Sequence, residues 1–267
     1  MAEFQFRLWP TTCGDVAVYG GESLSAEVSR PVAVFLHGAL RRSEALLPWA
    51  ELVRPFDAVF VDLPGHGRSS SLGSASIDGM AEAVHQALAA ALPARRVLLV
   101  GESLGGTIAL AVGGMQDGPV KAVFAADPPM TTGKLWNLAS VLRSTLAEST
   151  GPTFLGRLAR ETFGIFPDRV EERIYYPLLA ALQVPTVIAT GDIPLLPPRR
   201  LSGVACLFDD VDRFVVQTLY PGKAQLEQIP NCGHVMLEQA EEACLKIIRS
   251  LLVTLAAEAA GFARPAC

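Results

Sequence analysis

One stretch, Val97-Leu98-Leu99-Val100-Gly101-Glu102-Ser103-Leu104-Gly105-Gly106, constrains this chain more than any other. A short apolar run ends in Gly-x-Ser-x-Gly, and an Ala/Leu/Ile-rich segment follows. That pattern predicts a buried strand turning sharply into a helix, with one serine at the apex. Such a turn tolerates little bulk, so Gly101 and Gly105 let neighbouring backbone come close. The Ser103 hydroxyl is then presented at the carboxyl edge of a sheet. The N–H of Leu104, at the start of the helix, can face a developing oxyanion. A tight glycine turn with a serine helix cap uses the same residue types. The strand before and the helix after favour the exposed serine.

The rest of the chain repeats the strand–helix theme. Phe4, Phe6 and Leu8 alternate with Gln5 and Arg7, as a half-buried edge strand does, and Asp15 to Tyr19 reads as its antiparallel partner. Val32 to Leu36 and Ala58 to Val61 are continuous apolar runs, the mark of strands covered on both faces. Ser43 is expected to cap a helix reaching about Val53, and an Ala/Leu face predicts another from Ile77 to Leu92. After the serine turn, a helix to about Met115 leads to a buried strand at Lys121 to Ala126. Alternation then stops. Residues 130–182 hold amphipathic pieces near Lys134 to Ala147, Thr153 to Phe163 and Arg169 to Gln183, with no convincing strand. They read as a helical lid (cap) inserted in a core made of residues 1–129 and 183–267. A strand at Val184 to Gly191, a helix near Leu201 to Thr218, a last strand at Ala224 to Ile229 and a long helix after His234 complete the core. The fold class is α/β, with a mostly parallel, doubly wound sheet of about eight strands.

Composition narrows the partners. Half of the 267 residues are hydrophobic and 18% are charged, enough for a sizeable core. The net charge is -5 with no Lys/Arg block, which argues against nucleic acid and against an anionic membrane surface. Cys13, Cys206, Cys232, Cys244 and Cys267 are scattered and odd in number, so neither a disulfide framework nor a zinc site is expected. Reduced thiols, the absence of an apolar leader and a charge-interrupted terminal helix fit a cytoplasmic protein with a small-molecule substrate.

Four motifs lie in order: His37-Gly38 after one strand, Asp62-Leu63-Pro64-Gly65-His66-Gly67-Arg68-Ser69 after the next, Gly101-Glu102-Ser103-Leu104-Gly105-Gly106, and Asn231-Cys232-Gly233-His234 after the last. On these the chain resembles an α/β-hydrolase over nearly its whole length. The resemblance implies a serine nucleophile at Ser103, which needs a base and an orienting acid. Of four histidines, His85 falls in an Ala-rich helix, His66 shapes a turn in the family and His37 braces the loop that follows it. His234 stands where the family places its general base.

The acid is less direct. The family's frequent pattern Gly-x-x-Asp reads here as Gly191-Asp192-Ile193-Pro194, so proline occupies the acid's position. Some family branches use a carboxylate at the end of the preceding strand, here Asp127. The reading therefore takes Asp127, with Asp192 as the alternative acid and the Asp209/Asp210/Asp212 group behind both. The backbone N–H groups of Ala39 and Leu104 are expected to form the oxyanion hole, with Leu40 a second choice to Ala39. Leu40 and Trp136 are candidates for the substrate pocket. Glu102 reads as a buried or lid-facing hydrogen-bonding group. Arg41 and Arg42 read as solvated or paired, with anion binding as the alternative.

The expected activity is a serine hydrolase cleaving small to medium, largely apolar esters through an acyl-enzyme, with no metal or organic cofactor. The alternatives are a lactonase, amidase or carbon–carbon bond hydrolase, a cofactor-free dioxygenase or lyase using the His–Asp pair as base, and an inactive ligand-binding relative.

Overall fold

The computed structural model describes residues 5–20, 24, 30–71, 73–135, 153–193 and 205–260. Strands β1 (Phe6–Thr11) and β2 (Gly14–Tyr19) open the chain as an antiparallel pair. Six more follow: β3 (Val32–Leu36), β4 (Asp57–Val61), β5 (Val97–Glu102), β6 (Val120–Ala126), β7 (Thr186–Gly191) and β8 (Gln225–Ile229). They form one eight-stranded sheet in the order β1-β2-β4-β3-β5-β6-β7-β8. β2 joins β4 antiparallel, and every pairing from β4 to β8 is parallel.

Among the described residues the α-helices are α1 (Trp49–Leu52), α2 (Ile77–Ala91), α3 (Leu104–Gly113), α4 (Phe154–Arg157), α5 (Pro177–Ala181), α6 (Asp210–Leu219), α7 (Met236–Gln239) and α8 (Glu241–Ala259). The central strands bury both faces, and their residues divide by parity. Val32, Val34, Leu36, Val97 and Leu99 pack with Met80, Val84 and Leu88 of α2 and Ile108 of α3. Ala33, Phe35, Leu98 and Val100 pack with Trp49 and with Cys244, Ile248, Leu252 and Leu255 of α8, which recur at helical spacing. This is the doubly wound architecture that the continuous apolar runs imply.

Several local expectations differ from the structure. Ser43 does not cap a helix. It begins a 3₁₀ turn, Ser43–Leu46, and both its N–H and its hydroxyl donate to Asp62 Oδ1, at 3.0 and 2.6 Å. A buried carboxylate thus outcompetes local capping. Of the two expected pieces between β6 and β7 that fall among the described residues, Thr153 to Phe163 matches closely, as α4 running into a π-helical turn, Leu158–Thr162. Arg169 to Tyr176 is not helical; isolated bridges pair Thr131 with Ile174 and Ile165 with Val170. The helix expected from Leu201 begins only at Asp210, because Asp209 caps it from an extended backbone and forms a capping box with Asp212. The long helix after His234 is broken at Ala240 into α7 and α8. Trp136, Pro194 and most of the piece Lys134 to Ala147 lie outside the described residues.

Candidate active site

Every parallel strand ends on one edge of the sheet, and the candidate residues follow those ends. Gly38 follows β3, Ser103 follows β5, Asp127 follows β6 and His234 lies in the turn after β8. The crevice between β3 and β5 is where the strand order reverses, the usual place for a site in an open α/β sheet.

Ser103 adopts φ 56 and ψ -121 between β5 and α3, a conformation that L-residues rarely adopt. The glycines permit it. A Cβ on Gly105 would lie 2.5 Å from the Leu36 carbonyl oxygen and 2.6 Å from that of His37, and one on Gly101 would run into the Gly105 carbonyl. The Ser103 N–H donates to the Ala126 carbonyl at 2.9 Å, which ties the turn to the end of β6. Gly38 lies against Ser103: a Cβ there would sit 3.3 Å from Ser103 Cβ and 3.8 Å from its Oγ.

His234 Nε2 lies 3.0 Å from Ser103 Oγ, and His234 Nδ1 lies 2.5 Å from Asp127 Oδ2. Asp127 is fully buried and has φ 44. Its N–H donates to the Ala189 carbonyl at 2.8 Å, extending the β6–β7 ladder by one residue. Its carboxylate also accepts the N–H of Leu207 at 2.8 Å and of Phe208 at 2.9 Å. The structure therefore brings together Ser103, His234 and Asp127. A hydroxyl bonded to an imidazole whose far nitrogen faces a carboxylate can pass a proton from the hydroxyl to the ring as the oxygen attacks an electrophile.

A model of the alpha/beta hydrolase family matches residues 33–247. The chain belongs to that family. A stretch of 92 residues is 41% identical to a 2-succinyl-6-hydroxy-2,4-cyclohexadiene-1-carboxylate synthase of Yersinia pestis, covering 33% of this chain and 32% of that one. The chain thus spans about a third of the length of the curated relatives it matches. Among solved structures, E-2-(acetamidomethylene)succinate hydrolase superposes with a TM-score of 0.67 at 20% identity, covering 94% of this chain and 100% of that one. Carboxylesterase CesB of Bacillus subtilis superposes with a TM-score of 0.65 at 16% identity, covering 94% and 92%. At such identities these two speak to the fold.

In this alpha/beta hydrolase His37 and His66 have structural partners. Leu63 N–H donates to His37 Nε2 at 3.0 Å, so the ring proton sits on Nδ1 and is given to the Gly38 carbonyl at 2.7 Å. Burial pushes the His37 pKa down to about 4 and keeps the ring neutral. Leu40 N–H donates to His66 Nε2 at 3.2 Å, and His66 Nδ1 donates to the Pro64 carbonyl at 3.1 Å. The N–H of Leu40 is therefore engaged, which leaves Ala39 as the better oxyanion candidate in that loop. Leu40 itself has φ 61 and is 58% exposed.

Asp62 organises the loop after β4. Burial acts to raise its pKa, but hydrogen bonds from Ser43, Arg68 N–H and Tyr19 hold it below the usual carboxylate value. Gly67 is required there, since at φ 53 a Cβ would overlap the Asp62 carboxylate.

Asp192 is exposed. Its N–H donates to the Cys232 carbonyl at 3.0 Å, and it lines a small cleft with Asp209, Arg213 and Gln228. Arg41 is paired with Glu102 and Glu238 rather than left open to an anion. The N–H groups of Leu207 and Phe208 are the site elements that sequence reasoning missed, because a backbone donor carries no residue signature. Among the described residues, no group of three or more His, Cys, Asp or Glu could hold a metal ion, and no helix is long and apolar enough to cross a membrane.

Proposed function

We propose that this alpha/beta hydrolase is a serine hydrolase cleaving small to medium, largely apolar carboxylic esters through an acyl-enzyme. The observation that carries the reading is the continuous hydrogen-bond relay from Ser103 through His234 to Asp127. Ser103 Oγ attacks the ester carbonyl while His234 Nε2 takes its proton. The tetrahedral oxyanion is met by the N–H groups of Ala39 and Leu104. His234 returns the proton to the leaving alcohol, and water repeats the cycle on the acyl-enzyme. Asp127 holds the tautomer and offsets the imidazolium charge. The chemistry calls for no metal or organic cofactor. Residues 130–182 serve as the lid, with Leu40 and Trp136 lining the acyl or alcohol pocket.

Two measurements test this together: intact mass after treatment with a fluorophosphonate, and turnover of short-chain p-nitrophenyl esters. The parent protein should gain one phosphonyl group and turn over the esters. Ser103→Ala should do neither. Unchanged turnover in that variant removes the reading.

One observation favours a second reading, the 92-residue likeness to a synthase. In a lyase-type reaction the His234–Asp127 pair would abstract a carbon-bound proton while Ser103 only orients the substrate. Ser103→Ala would then keep a substantial part of the activity, whereas His234→Ala would lose it.

A further inference from the structure

Glu102 lies in the turn that presents Ser103, yet the serine relay does not use it. It occupies the last position of β5 and is 2% exposed. A carboxylate so buried needs partners for both oxygens. Oε1 accepts the Leu237 N–H at 2.9 Å, and Oε2 accepts Arg41 Nη1 at 3.1 Å. The two partners come from loops that follow strands on either side of β5 in the sheet, β3 and β8. Arg41 stands two residues beyond Ala39, and Leu237 three residues beyond His234. The other Arg41 nitrogen, Nη2, pairs with Glu238, next to Leu237, so the three segments close into a ring.

The ring bears on both loops. The Arg41 N–H donates to the Gly38 carbonyl at 3.3 Å, closing the loop that holds Ala39. Leu237 belongs to the first turn of α7, whose N-cap residue Val235 supplies no side-chain acceptor. Glu102 supplies it instead. The same short helix grips the histidine turn, because the Gly233 N–H donates to Gln239 Oε1 at 2.9 Å.

We propose that Glu102 is a positioning residue whose carboxylate clasps the Gly38–Arg41 loop and the Gly233–Leu237 turn to the strand ending at Ser103. The clasp fixes the oxyanion donors and the His234 ring relative to the Ser103 hydroxyl. It rests on the reading of Ser103 as nucleophile. A small displacement of either loop would leave substrate binding intact and spoil the geometry of attack.

The test compares Glu102→Ala, Glu102→Gln, Arg41→Met and Ser103→Ala in kcat and KM for p-nitrophenyl esters, rate of fluorophosphonate labelling, and Tm. Glu102→Ala should lower kcat and the labelling rate by about 10²-fold with KM nearly unchanged, the scale of loss that misplacement by about 1 Å produces. Glu102→Gln, which keeps an acceptor for Leu237 N–H, should recover most of that loss. Arg41→Met should fall between them and add little in the Glu102→Ala background, since the two act as one unit.

The clasp is overturned if Glu102→Ala labels and turns over like the parent, or if Glu102→Gln is no better than Glu102→Ala. Additive losses for Arg41 and Glu102 overturn it too. Should Glu102→Ala fail to fold, Arg41→Met decides alone: a fall in kcat at constant KM supports the clasp, and a parental kcat overturns it. Full turnover in Ser103→Ala would instead sink the nucleophile reading, which separates the two failures.

Discussion

His234 Nδ1 stands 2.5 Å from Asp127 Oδ2, and the same carboxylate is held by the N–H groups of Leu207 and Phe208 at 2.8 and 2.9 Å. Three donors converge on two oxygens that are fully buried. An asparagine has one acceptor oxygen and an amino group that can only donate, so it cannot satisfy all three. Asp127→Asn should therefore lose at least about 10²-fold more kcat than Asp192→Asn, a gap of about 2.7 kcal/mol in barrier. Steady-state kinetics on p-nitrophenyl esters measures it. Equal losses, or a larger loss for Asp192→Asn, would take the acid role away from Asp127.

His37 should make the fold sensitive to acid. In the unfolded chain its ring takes a proton near pH 6.5, whereas burial in the native state lowers the pKa to about 4. The unfolded state therefore binds more protons between those values. The stability His37 contributes is fully present above pH 6.5 and is lost as pH falls through the window to 4. Its full size is about 3 kcal/mol. Asp62, whose pKa is lowered against burial by the hydrogen bonds from Ser43, Arg68 N–H and Tyr19, acts with the same sign. Urea denaturation at about pH 7.5 and about pH 4.5 should show the parent losing more stability than His37→Gln, although the variant starts less stable. Parallel losses would mean that His37 does not supply this pH dependence.

What was legible in the sequence follows from where the information is written. Val32 to Leu36 could be read to the residue, and the apolar run from Val97 as the body of β5, because a strand covered on both faces is built mainly of apolar side chains. Ser103 and His234, which lie 3.0 Å apart, could be singled out because the motifs that carry the family resemblance place a serine and a histidine after those strands. The Ser43 expectation failed because its partner, Asp62, lies on another loop and no local pattern announces it. The late start of α6 reflects the competing cap at Asp209, which pairs with Asp212 three residues on. The Glu102 contacts to Leu237 and Arg41 span 135 and 61 residues, distances over which a single sequence carries no register.

Gly105→Ala should be strongly disruptive. The added Cβ would lie 2.5 Å from the Leu36 carbonyl oxygen and 2.6 Å from that of His37, and backbone cannot step aside as a side chain can. Overpacking of this kind costs about 1–3 kcal/mol or more. Ser103 should also lose reactivity, since α3 carries the Leu104 N–H beside it. Gly73, where nothing lies within 4 Å of an added Cβ, is the control. Gly73→Ala should stay within about 0.5 kcal/mol of the parent. A Gly105→Ala protein with parental Tm and labelling rate would contradict the close approach.

Lys134 should prove a sensitive charge outside the serine relay. Its ammonium pairs with Asp212, with Asp209 at 2.9 Å, and with the Leu207 carbonyl at 3.4 Å. Asp212 is fully buried and also accepts from the Tyr176 hydroxyl and, at 2.8 Å, from the Asp209 N–H. Residues from both sides of the β6–β7 segment, Lys134 and Tyr176, thus meet on one carboxylate, beside the Leu207–Phe208 strap that holds Asp127. Burial raises the Asp212 pKa, and Lys134, Tyr176 and the Asp209 N–H oppose it. Lys134→Met removes the cation and strands the buried charge, a loss of about 3 kcal/mol at neutral pH. The pKa of Asp212 should then rise further, so the folded variant takes up a proton before the unfolded chain does. Its deficit against the parent is present in full above that raised pKa and shrinks as pH falls through it. Urea denaturation of both proteins at about pH 8 and about pH 5 should therefore show the gap narrowing on acidification. Adding Asp212→Asn to Lys134→Met should recover part of the loss at the higher pH, because no buried charge then remains unpaired. A gap that is the same at both pH values, or a double variant weaker than Lys134→Met, would show that the Lys134–Asp212 pair does not carry this stability.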